Sequence, residues 1–175
     1  CAGAEYLWQG DPKFWPRRAP VLFPTVGCLK NDEAMSAAGP VHLKRHGLAR
    51  TNEHEVKEVA ADSVTYELRS SEATRELYPY DFCLNMAYSV DGTSLTQSFA
   101  VTNTGDVDLP FTLGGHPAFN VPMPGAEGER FDDYALVFAE RWSPEVPVID
   151  ERGLHDFGRM TRLMEDSREL ALSHE

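Results

Sequence analysis

The chain has 175 residues, of which 42% are hydrophobic and 10% aromatic, enough to build a core in a single domain spanning residues 1–175. Asp and Glu outnumber Lys and Arg 28 to 16, for a formal charge of -12. That excess of acid argues against nucleic-acid and anionic-membrane partners, which need a basic patch, and favours a small-molecule ligand. No apolar run approaches the roughly 18 residues of a membrane span.

Cys1, Cys28 and Cys83 form no C-x-x-C pair and leave an odd number, so neither a disulfide framework nor a structural zinc site is expected. A reducing cytoplasm is the matching location. A chain that opens on Cys1 rather than Met, and closes on the strand-like Glu169-Leu170-Ala171-Leu172-Ser173, is expected to be a segment of a longer protein.

The first clear strand signal is Val64, Tyr66 and Leu68, alternating apolar with polar. A short helix is expected over Ser71 to Leu77, capped by Ser70 or Ser71 and stopped before Pro79. Phe82, Leu84, Met86, Tyr88 and Val90 then repeat with the period of a strand that has one apolar face. Asp91-Gly92-Thr93 supplies a positive-φ hairpin turn, and Ser94 to Thr102 returns with Leu95, Phe99 and Val101 on one side.

Past a turn at Asn103 to Asp106, Pro110-Phe111-Thr112 reads as a further strand leading into Leu113-Gly114-Gly115-His116-Pro117-Ala118-Phe119-Asn120. Two glycines there permit positive φ or a close backbone approach, and a proline stiffens the far side. His116, the side chain with an unperturbed pKa near neutrality, stands on the corner between them. Pro122 to Arg130 is an exposed loop, and Tyr134 to Phe138 a later apolar strand. With 12 prolines and 13 glycines spread throughout, no linker separates two domains, and strands at this spacing read as a sandwich or barrel.

Three segments give this pattern a more specific meaning: Arg17-Arg18-Ala19-Pro20-Val21-Leu22-Phe23-Pro24-Thr25-Val26-Gly27, His46-Gly47-Leu48-Ala49-Arg50 and Leu113 to Asn120. In this order and spacing, together with Glu5-Tyr6-Leu7-Trp8-Gln9, they resemble the aldose 1-epimerase (galactose mutarotase-like) family. The likeness is to its branch with R-x-x-P-V-L-F-P, H-G-F-A-R and G-G-H-P-A-F-N segments.

The resemblance implies an all-β fold, part of a large antiparallel β-sandwich, and an enzyme that interconverts the α and β anomers of a sugar by opening and closing its ring. One acid and one base suffice for that, with no metal or organic cofactor. By resemblance His116 is the general acid toward the ring oxygen and His46 a second histidine near the same oxygen. Arg18, Arg50 and Asn120 fall among the groups that bind the sugar, a planar guanidinium holding two oxygens at once. The family's general base is a glutamate in a C-terminal segment that this chain does not reach. Cys28 stands where the branch has arginine, and Leu48 where it has phenylalanine.

The His-Gly-x-Ala-Arg form also resembles the hexose-6-phosphate branch, in which arginines meet a phosphate, and a non-catalytic carbohydrate-binding relative is the third alternative. Without the rest of the sandwich, Tyr134 to Phe138 and Leu170 to Leu172 are expected to lack strand partners. The oligomeric state is open.

Overall fold

The structure, a computed structural model, describes residues 3–174. Cys1 and Glu175 lie outside the described residues. The chain divides into two compact units: Pro20–His116, and the flanking segments up to Ala19 and from Pro117 onward.

In the first unit, β1 (Val21–Leu22) is followed by a hairpin of β2 (Glu33–Ser36) and β3 (Gly39–His42). Then β4 (Glu55–Val59), β5 (Ser63–Arg69), β6 (Phe82–Asp91) and β7 (Ser94–Asn103) form a four-stranded antiparallel sheet in sequence order. The two-residue strand β8 (Gly114–Gly115) returns to pair with β1. Long β-hairpins dominate because alternation is strong there: Leu84 faces Leu68 on one side and Val101 on the other, and Met86 faces Tyr66 and Phe99. That face closes the core. Phe82 and Leu84 are completely buried, as are Phe23 and, nearly so, Leu43. Full burial of such a side chain contributes about 1.5–3 kcal/mol. Gly92 takes φ +57 in the β6–β7 turn, as the Asp-Gly signal demands.

The opposite face of the sheet carries a polar cluster. Glu67, only 8% exposed, accepts hydrogen bonds from Lys57 and from Arg69 Nε at 2.7 Å, and the Cys83 thiol donates to it at 3.3 Å. These donors, Lys57 foremost and then Arg69, hold its carboxyl down at about 2. Burial, and then the Glu67 carboxylate, pushes the Cys83 thiol up.

The one α-helix among the described residues, α1 (Glu72–Leu77), starts at Ser71 rather than Ser70. Ser71 Oγ accepts from Thr74 N–H at 3.2 Å while Thr74 Oγ1 accepts from Ser71 N–H at 2.8 Å, a reciprocal cap. Ser70 instead donates to Asp81 Oδ1 at 2.8 Å. Among the described residues, no helix is long and apolar enough to cross a membrane.

Pro110 to Thr112 is not a strand. Pro110 has no N–H to donate to a ladder, and the segment is held singly, by Tyr78 Oη donating to Pro110 O at 2.5 Å and Thr112 N–H donating to Pro24 O at 2.9 Å. The sequence allows the glycines of β8 two uses, and neither residue takes a positive φ. At Gly114 the use is close approach: a Cβ there would come within 3.1 Å of Val26 Cγ2 and 3.6 Å of Leu22 Cδ1.

The second unit contains β9 (Ala135–Trp142), β10 (Glu145–Ile149), β11 (His155–Arg162) and β12 (Ser167–Ala171). β10 and β11 form a hairpin with a register shift after Pro147. β9 and β12 pair with each other, Leu136 opposite Leu170 and Ala135 opposite Ala171, so these two strands do have partners. Most of their side chains are nonetheless exposed. The N-terminal segment lies antiparallel to 118–120, with Trp8 N–H donating to Ala118 O at 2.9 Å and Asn120 N–H to Tyr6 O at 2.8 Å.

Candidate active site

The buried segment Val21-Leu22-Phe23-Pro24 is the floor on which two of the sequence motifs are hung. Gly114 and Gly115 pair with Leu22 and Val21, and His116 N–H donates to Pro20 O at 3.1 Å, which fixes where the His116 backbone leaves β8. From the other side, Leu48 and Ala49 both donate their N–H to Phe23 O, at 2.9 and 3.1 Å. Gly47 is required here twice over: it takes φ +70, and a Cβ on it would lie 2.4 Å from Phe23 O. An apolar strand and two short loops thus bring His46 and His116 together from distant parts of the chain.

Their rings meet edge to face, with centroids 5.6 Å apart and planes inclined at 73°. His116 is exposed and His46 half-buried. His46 takes φ +69, a left-handed conformation uncommon outside glycine and costing on the order of 1–3 kcal/mol, of the kind concentrated at functional sites. The conformation is held by His46 N–H donating to Gly27 O at 2.8 Å, and Gly27 N–H donates back to His46 Nδ1 at 3.1 Å. Burial lowers the pKa of His46, and the charges of Arg50, His116 and Arg45 lower it further. At neutral pH it is a neutral imidazole.

Arg50 lies in a single 3-10 turn, Ala49–Thr51, and its Nη2 donates to Arg45 O at 2.8 Å. Arg45 was not singled out by the sequence. Its Nε donates to Cys28 Sγ at 3.0 Å, so that cysteine is met by an arginine from the loop just before His46. Gly27 lay within the first motif but had no role there. An unassigned glycine next to a loop that carries a candidate histidine is the signal that could have found it.

Arg18 and Asn120 belong to the other unit. Arg18 is exposed; its Nε donates to Gln9 O at 3.0 Å and its stem lies over Gly10, where a Cβ would come within 3.3 Å of Arg18 Cγ. Asn120 Nδ2 donates to Glu5 O and Leu7 O at 2.7 and 3.0 Å, so this nitrogen ties down the N-terminal segment. Trp8 donates its indole N–H to Trp15 O at 2.8 Å and packs edge-on to Phe14, while Phe119 is 58% exposed.

Comparison with known proteins identifies the family and the fold. Residues 2–168 match the family model described as Aldose 1-epimerase. The chain is 37% identical over 179 residues to the plasmid-encoded protein LacX of Lactococcus lactis subsp. lactis, covering 98% of this chain and 59% of LacX. Among solved structures it is similar to a galactose mutarotase related enzyme from Lactobacillus acidophilus, with 36% identity and a TM-score of 0.87 over 97% of this chain and 55% of that one. A galactose mutarotase-like protein from Lactobacillus casei ATCC 334 gives 31% identity and a TM-score of 0.86 over 99% of this chain and 58% of its own. The fold is thus all-β and galactose mutarotase-like, and the chain spans between 55% and 59% of the length of these relatives.

Proposed function

The chain belongs to the aldose 1-epimerase family, and on that premise we propose that it contributes the histidine pair of an enzyme that interconverts the α and β anomers of an aldose. Ring opening needs a proton delivered to the ring oxygen while the anomeric hydroxyl loses one. The C1–C2 bond then rotates, and closure on the other face reverses both transfers. His116 is the proton donor to the ring oxygen. It stands exposed on a corner fixed by β8, and its neighbour His46 is a neutral imidazole that donates a hydrogen bond without exchanging its proton. The observation that carries this reading is the edge-to-face approach of His46 and His116 at 5.6 Å.

The base is assigned to the family's C-terminal glutamate, so turnover belongs to the protein carried to the family's full length. The sugar-binding roles of Arg18 and Asn120 rest on the motif match alone. For Arg50 a second reading has a specific observation behind it. Arg50 is braced on the Arg45 main chain, and the charges of both arginines act on His46. Two cations beside the histidine pair favour an anionic sugar such as a hexose 6-phosphate over a neutral one. Mutarotation assays on free and 6-phosphorylated α-hexose separate the two readings, and turnover of neither leaves a carbohydrate-binding role.

A further inference from the structure

We propose that Gly27 is a positioning residue whose main-chain N–H fixes His46 as the Nε2–H tautomer, so that His46 presents a hydrogen-bond donor to the ligand. The inference rests on the sugar-binding reading of the histidine pair for its purpose, but not for its geometry.

The contact between Gly27 and His46 is reciprocal. The His46 main chain donates to Gly27 O at 2.8 Å, and the Gly27 main chain donates to the His46 ring at Nδ1, 3.1 Å away. A neutral imidazole has one N–H and one bare nitrogen, and the nitrogen that accepts cannot also carry the proton. With Nδ1 engaged from within the protein, the proton resides on Nε2. Moving it to Nδ1 would set two N–H groups against each other and remove both bond and donor. Protonating the ring has the same consequence at Nδ1. It also adds a charge beside Arg45 on the preceding loop, Arg50 on the following turn and His116 at the end of β8, with Cys28 next to Gly27 already taking a donor from Arg45.

The conformation of Gly27 makes the contact possible. At φ +84 it turns both its C=O and its N–H toward residue 46, and no atom lies within 4 Å of where a Cβ would be. The demand at this position is therefore on the dihedral and not on space. Asparagine, which tolerates left-handed backbone, is expected to preserve the contact, and alanine to disturb it.

Long-range ¹H–¹⁵N correlation spectra of the imidazoles in the 175-residue chain read the tautomer directly. His46 is expected to show a pyrrole-type Nε2 and a pyridine-type Nδ1 at neutral pH. Gly27→Asn should retain that pattern. Gly27→Ala should mix the tautomers and move the His46 midpoint up toward the ordinary histidine value, and if that variant does not fold, the wild-type and Gly27→Asn spectra still decide. A wild-type His46 protonated at Nδ1, or charged at neutral pH, overturns the proposal. In the full-length protein, His46→Gln, which keeps a donor nitrogen at the Nε2 position, should restore most of the turnover that His46→Asn loses, a difference of about tenfold or more. Equal losses would mean that His46 exchanges protons itself. Absence of turnover in the wild type, with the Nε2–H tautomer in place, would count against the enzymatic reading and leave the Gly27 contact standing.

Discussion

His46 and His116 stand edge to face because both hang on one buried strand: His116 follows the glycines that pair with Val21 and Leu22, and His46 precedes the residues that donate to Phe23 O. The geometry divides their labour. His46, pressed by burial and by two arginines, stays neutral, while His116 stands in the open. A pair in which one member is held neutral can donate a hydrogen bond and a proton to neighbouring oxygens without repelling itself.

Gly47 is the residue on which the His46 loop is most sensitive. Gly47→Ala forces a left-handed conformation on alanine and drives its Cβ to 2.4 Å from Phe23 O, so the loop must lift off the floor strand. Gly92→Ala, at φ +57 with no atom within 4 Å of the added carbon, suffers only the dihedral strain. Urea denaturation is expected to show a loss of more than about 1 kcal/mol for Gly47→Ala and a distinctly smaller one for Gly92→Ala. Similar losses for both would remove the packing role of Gly47.

Arg50 decides between substrate classes. If it meets a phosphate, Arg50→Ala weakens a hexose 6-phosphate by about tenfold or more relative to the unphosphorylated hexose, because only the former loses a charge-assisted contact. Equilibrium titration with both sugars measures the ratio. Equal weakening would confine Arg50 to bracing the loop through Arg45 O.

Glu67 carries a pH signature. Its carboxyl is held at about 2 in the folded chain against an ordinary 4.5, first by Lys57 and then by Arg69. A depressed carboxylate contributes stability that is complete above the ordinary value and lost as pH falls from about 4.5 toward about 2. Glu67→Gln is therefore expected to melt below the wild type at pH 7, and thermal melts should show the gap closing across that acid window. A gap that does not change with pH would mean that Glu67 acts through packing alone.

Much of this was legible in the sequence where the signal is local. Alternation from Phe82 to Val90 and the Asp-Gly pair predict the β6–β7 hairpin, and Ser71 with Pro79 bracket the helix. The three motifs pointed to His46 and His116, but not to why they meet, since the floor strand that joins them works through main-chain bonds to Phe23 O and Pro20 O that any residue type can accept. The β10–β11 hairpin was hidden by Pro147 and by the weak alternation of His155 to Arg162. Asn120 shows a contact that lay beyond the reach of the motifs. A motif residue assigned to the sugar by likeness spends its amide nitrogen on Glu5 O and Leu7 O, contacts that no local pattern announces.

The central claim is that His116 is the acid of an anomerising site. Polarimetry on freshly dissolved α-glucose or α-galactose tests it most directly, using the full-length protein with and without His116→Asn. The account predicts a rate lowered by about 10²- to 10⁴-fold, with the melting temperature little changed because His116 is exposed and the substitution keeps its main-chain bond to Pro20 O. A variant that anomerises the sugar at the wild-type rate would contradict it and remove His116 from the chemistry.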